Sequence, residues 1–119
     1  MPKIENATIT SIKFGYEDHD ILTLQLMLKG DHWECGFGGY ALDTYVKRKK
    51  KRVPTQVGFE AITELMNTLG VTDLYDLKGK YVRIEWEGNG IGACRIAKIG
   101  HLMEDRWFSF KEFFESRIK

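Results

Sequence analysis

Gly36-Phe37-Gly38-Gly39-Tyr40-Ala41-Leu42-Asp43 places three glycines and two aromatic rings in one short run. Glycines let a ligand or a second backbone come close and leave N–H groups open to an anion, while Phe37 and Tyr40 offer flat faces on which a base stacks. One stack contributes about 1–3 kcal/mol, so two such faces hold a nucleotide without base-specific hydrogen bonds. The same residues, read without a ligand, are a β-bulge flanked by two core aromatics.

A second group lies at Ile99-Gly100-His101-Leu102-Met103-Glu104-Asp105-Arg106-Trp107-Phe108, directly before a helix start. Free backbone donors at such a start favour negative charge, Arg106 can clamp a pyrophosphate in bidentate fashion, and an acid such as Asp105 can fix ribose hydroxyls. His101 and Trp107 add a polar ring and a stacking face. Arg83 and Arg95, on a predicted hairpin, complete the residue types that a nucleotide pocket needs. The plainer reading is that Trp107 and Phe108 anchor the last helix and Arg106 is solvated.

Other chemistry is poorly served. Neither GxSxG nor HExxH nor a Walker lysine loop occurs, and His19, His32 and His101 lie in separate segments with no nucleophile beside them. Glu17-Asp18-His19-Asp20 lacks the spacing of a calcium loop, so no metal is expected and no cofactor is implied. Cys35 and Cys94 fit no CxxC or zinc spacing and read as small buried hydrophobes before reactive thiols. Lys47-Arg48-Lys49-Lys50-Lys51-Arg52 holds six of the 18 cationic residues, leaving 12 against 17 acids elsewhere. Such a run attracts phosphates in a salt-dependent way; otherwise it is a solvated loop that its like charges keep extended.

The elements that must position these groups follow from periodicity. Thr8–Phe14 and Ile21–Leu28 alternate as half-buried strands around a turn at residues 15–20, and Trp33–Leu42 continues the β structure. A helix runs from Pro54 or Thr55 to Leu69, with Phe59, Ile62, Leu65, Met66 and Leu69 on its core face and Gly70 as its left-handed cap. Residues 72–78 form a short turn, and Tyr81–Trp86 and Ala93–Ile99 form a hairpin through Glu87-Gly88-Asn89-Gly90. Ser109 with Glu112 makes a capping box for a closing helix, and Phe108 with Phe113 makes its hydrophobic staple. The result is an α+β fold: an antiparallel β-sheet with one central amphipathic helix and one C-terminal helix.

Composition agrees with a single domain. The 119 residues are 43% hydrophobic, 13% aromatic and 29% charged, the opposite of a disordered chain. No apolar run reaches the roughly 20 residues of a membrane span, and Met1–Asn6 lacks the apolar stretch of a signal peptide, so a cytoplasmic protein is expected.

Ile4-Glu5-Asn6-Ala7 with Gly15-Tyr16-Glu17-Asp18-His19, then Gly36 to Asp43, then Ile99-Gly100-His101 with Glu104-Asp105-Arg106-Trp107-Phe108, resembles the phage anti-Thoeris sponges, the first-described type of Thoeris anti-defence protein. The resemblance spans nearly the whole chain in order. It implies a non-enzymatic protein of the host bacterial cytosol that binds and sequesters a cyclic ADP-ribose isomer without cleaving it. Some members also take up cyclic trinucleotides, and the family forms homo-oligomers, dimers or hexamers, with pockets between protomers. Carried onto this chain, Phe37, Gly38, Gly39 and Tyr40 become stacking and backbone contacts, and His101, Asp105, Arg106 and Trp107 polar and aromatic ones. On this reading Arg106→Ala weakens ligand capture. The basic tract at 47–52 matches no family feature; it supports the alternative of a small phage protein that binds nucleic acid or protein through that tract.

Overall fold

Strands whose apolar residues recur every second position must bury one face, and here they bury it in a common sheet. The computed structural model describes residues 3–17, 20–88 and 95–117. Its strands β1 (Ile4–Glu17), β2 (Ile21–Gly30), β3 (Trp33–Ala41), β6 (Tyr81–Trp86), β7 (Ile96–Gly100) and β8 (Trp107–Phe108) form a six-stranded antiparallel sheet in the order β3-β2-β1-β6-β7-β8. The interior row is Ala7 and Ile9 of β1, Leu24, Leu26 and Leu28 of β2, Cys35 and Phe37 of β3, and Val82, Ile84 and Ile99 further along. At about 3.3 Å per residue the 14 residues of β1 span on the order of 45 Å, comparable with the 47 Å long axis of the molecule.

Two further strands, β4 (Asp43–Val46) and β5 (Lys51–Pro54), pair antiparallel as a separate ribbon. The basic tract therefore forms the tip and one leg of a hairpin. The like charges of the tract predict an extended, solvated loop there, and paired strands stand in its place.

Helix α1 (Gln56–Leu69) begins at Thr55, whose Oγ1 accepts the Gly58 N–H at 2.9 Å, and ends at Gly70 with φ 76°. Its buried face is Gly58, Ala61, Ile62, Leu65, Thr68 and Leu69. Phe59, expected on that face, is 69% exposed, and Met66 only half-buried. The cause is Gly58: without a Cβ it lies directly on the Leu42 carbonyl, which turns the helix so that the next residue, about 100° round, faces outward. A 3₁₀ turn follows at Leu74–Leu77, as the spacing of 72–78 implies.

The closing helix α2 (Phe110–Arg117) starts as its capping box predicts, the Glu112 N–H donating to Ser109 Oγ at 3.1 Å. The Phe108 and Phe113 ring centroids lie 5.8 Å apart, which realises the staple. The β6–β7 pairing is the expected antiparallel hairpin; of its expected connection and second strand, Asn89, Gly90, Ala93 and Cys94 lie outside the described residues, as do Asp18 and His19 of the first turn. Cys35 is buried as expected, but it is disulfide-bonded where the spacing suggested a free thiol, a bond that a reducing cytosol disfavours. None of the described helices is long and apolar enough to cross a membrane.

Candidate ligand-binding cleft

The sheet curls. Trp33 of β3 and Trp86 of β6, separated by two strands in the sheet order, meet edge to face with ring centroids 4.8 Å apart. Trp86 is fixed by its Nε1–H, which donates to Glu5 Oε2 at 2.6 Å. The curl brings the free edge of β3 round toward the first residues of β7. Between them, with α2 across one end, opens a cleft of about 910 Å³.

One wall is the glycine-aromatic run. Gln25 pairs with Gly38 and Thr23 with Ala41, so Leu24 faces two residues, Gly39 and Tyr40, and β3 is bulged. Gly38 and Gly39 take φ of 109° and 84°, conformations that L side chains rarely adopt. Phe37 is buried in the core against Phe110, at 5.4 Å between centroids. Tyr40 leans on Phe110 and Phe114 yet stays 43% exposed, so part of its ring remains open. Phe37 is thus a core ring, as the reading without a ligand has it, and Tyr40 lines the cleft with Gly36 and Gly38.

The facing wall comes from Glu85, Trp86 and Glu87 at the end of β6 and from Arg95, Ile96 and Ala97 at the start of β7. The Glu87 N–H donates to the Arg95 carbonyl at 3.0 Å, which sets Arg95 at the rim. The end is closed by Ser109, Phe110, Lys111, Glu112 and Glu115 of the α2 N-terminal half, with Lys98 paired to Glu112 at 3.3 Å. Four carboxylates thus line the cleft against the cations Arg95 and Lys111. Carboxylates accept hydrogen bonds from hydroxyls, while Arg95, Lys111 and the positive end of α2 favour a phosphate. Glu85, Trp86, Glu87 and the α2 residues were missed from sequence; the capping box, which aims residues 109–112 at one place, was the available signal.

The second predicted group is elsewhere. His101, Asp105 and Arg106 lie in the turn between β7 and β8, Trp107 opens β8 and Arg83 reaches the turn from β6; none of them lines the cleft. Their polar atoms are occupied locally. Arg83 donates to the carbonyls of His101 (2.9 Å) and Glu104 (2.8 Å), and its guanidinium lies 4.8 Å from the Trp107 ring centroid. His101 Nδ1 accepts the N–H groups of Met103 and Glu104, the Trp107 indole donates to Asp105 Oδ1 at 3.0 Å, and Arg106 donates to the Asn67 carbonyl at 2.9 Å. Arg106 thereby satisfies a carbonyl in the last turn of α1. Because its side chain is partly solvated, Arg106→Ala is expected to lower stability by about 1 kcal/mol and to leave occupancy of the β3–β7 cleft unchanged, measured by urea unfolding beside a ligand-uptake assay. Of the ten residues singled out from sequence, the cleft gathers Phe37, Gly38, Tyr40 and Arg95, with Gly39 in the adjoining bulge.

No family model, curated protein or solved structure matches this chain.

Proposed function

We propose that this chain is a binding protein that captures a cyclic nucleotide signal, a cyclic ADP-ribose isomer in the first instance and cyclic trinucleotides as further ligands, and holds it unchanged. The observation that carries the reading is the convergence of the open Tyr40 ring, the Gly36–Gly38 backbone and Arg95 on one cleft of about 910 Å³, within the ~300–1,000 Å³ range of small-molecule sites. The order of motifs along the chain, which resembles the anti-Thoeris sponges, supplies the ligand class. In this reading Tyr40 stacks on the adenine and Arg95 and Lys111 take the pyrophosphate. The rim carboxylates Glu85 and Glu87 accept ribose hydroxyls. Action is by stoichiometry, in the cytosol of an infected bacterium, whose reducing conditions oppose the disulfide of Cys35, a residue outside the cleft lining, and protomers associate as dimers or hexamers; nanomolar capture corresponds to about −12 kcal/mol.

The direct test is to incubate the purified protein with the cyclic ADP-ribose isomer, measure depletion of free ligand, then heat-denature and assay what is released. Depletion followed by recovery of intact ligand supports capture. Recovery of a linear product makes the protein a hydrolase, and no depletion removes the ligand assignment. Tyr40→Ala is expected to weaken uptake about 5- to 150-fold, the equivalent of one lost stack, and Arg95→Ala by a similar factor through its charge-assisted bonds. Isothermal titration of each variant checks both.

A further inference from the structure

The tip of the β4–β5 ribbon carries Lys47, Arg48, Lys49, Lys50 and Lys51, all exposed and none in an ion pair among the described residues. The sixth cation of the tract, Arg52, is engaged differently: it bonds Asp43 through Nε at 3.0 Å and a terminal nitrogen at 2.8 Å. That pair, together with the Thr55 N–H on the Leu42 carbonyl at 3.1 Å and the Leu22 N–H on Asp43, fixes the root of the ribbon to the body.

The turn itself is ordered. The Lys49 N–H donates to the Val46 carbonyl and the Lys50 N–H to the Lys47 carbonyl, at 3.1 and 3.2 Å. Lys50 has φ 55°, a left-handed position where glycine or asparagine is the easier residue. Five like charges on and beside a tight turn, one of them in a strained conformation, oppose local stability with no compensating ion pair among the described residues, and such a breach of local rules points to a functional surface. A two-stranded ribbon has the breadth that the ~12 Å major groove of duplex DNA admits.

We propose that the β4–β5 ribbon is a second binding site, separate from the cleft, and that it takes the phosphodiester backbone of duplex nucleic acid. The surplus of acids over the rest of the chain confines the contact to this tip. Affinity is set by charge and is indifferent to sequence, because lysines on phosphates read no bases.

The test is fluorescence anisotropy of a labelled 20-base-pair DNA duplex between 50 and 200 mM salt. Five phosphate contacts give a log–log slope of about −4.5, a loss of about 500-fold over that range. The triple variant Lys47→Ser, Lys49→Ser, Lys50→Ser is expected to flatten the slope by about 2.7, with a thermal midpoint no lower than that of the wild type and unchanged uptake of the cyclic ADP-ribose isomer. Should the triple variant not fold, Lys49→Ser alone flattens the slope by about 0.9. Absence of duplex binding at 50 mM salt, a slope the substitutions do not change, or tighter binding to phosphatidylserine vesicles than to the duplex overturns the proposal. Loss of cyclic ligand uptake by wild type with duplex binding intact sinks the cleft reading and leaves this one standing.

Discussion

Gly38→Ala is expected to lower the unfolding free energy by about 3 kcal/mol or more, while Gly39→Ala, one residue on, changes it by about 1 kcal/mol or less. Both glycines have positive φ, 109° and 84°. They differ in what a Cβ would meet. At Gly38 it would run into the Leu24 carbonyl oxygen of the neighbouring strand, which is backbone and cannot step aside, with the Phe110 ring 3.3 Å away. At Gly39 nothing lies within 4 Å. Alanine at 39 therefore meets conformational strain alone, partly offset by a less flexible unfolded chain. Alanine at 38 must also push apart β2 and β3 at the bulge. A domain has about 5–15 kcal/mol in total, so the first variant loses a large share of it and the second little. Urea unfolding of both variants, read by tryptophan fluorescence, checks the difference. Equal losses at the two positions would mean that the bulge relaxes freely and that Gly38 is not held by Leu24. The comparison bears on the cleft as well, since Tyr40, which lines it, lies in the bulge.

This pair of glycines also marks where sequence reading succeeds and where it stops. Adjacent glycines within an otherwise β run announce a bulge, and the bulge is there. The capping box at Ser109 and Glu112 and the left-handed Gly70 likewise fix both helix ends from local chemistry alone. Position in three dimensions was harder. Residues 99–108 have the composition of a binding loop, yet Arg83, Arg106 and Trp107 spend their donors on the carbonyls and carboxylate of that same turn and of α1, a pairing that no spacing encodes. Phe59 obeys the helical period and still faces outward, because contact between Gly58 and the Leu42 carbonyl sets the rotation of α1. The β4–β5 hairpin was illegible because its second leg is Lys51-Arg52-Val53-Pro54, which has no apolar alternation, and its turn has no glycine or asparagine. What pairs the two legs is a polar root: Asp43 at one end and Arg52 opposite Tyr45.

That root yields the second large effect. Asp43 is 8% exposed and accepts three hydrogen-bond contacts in opposite directions, from the Arg52 guanidinium on Oδ1 and from the Leu22 N–H on Oδ2 at 3.0 Å. Burial raises its pKa, but the Arg52 bond, the Leu22 N–H and the Arg52 charge together outweigh burial and leave the carboxyl below its ordinary 3.8. Asp43→Ala strands a guanidinium that is only 25% exposed and an unpaired N–H in β2, and is expected to cost about 3 kcal/mol. Asp43→Asn keeps the shape and one acceptor, and is expected to cost about 2 kcal/mol. The sign of the pH dependence follows from the lowered pKa. A carboxylate favoured in the folded state contributes its full stability above the unfolded value near 3.8, and that contribution is lost as pH falls from there through the lower folded value. The stability gap between wild type and Asp43→Asn should therefore stay constant from pH 7 to about 4 and narrow below it. Urea midpoints measured across pH 7 to 2.5 read this directly, and a gap that persists unchanged at the acid end would mean that the Asp43 charge does not hold the ribbon to the sheet.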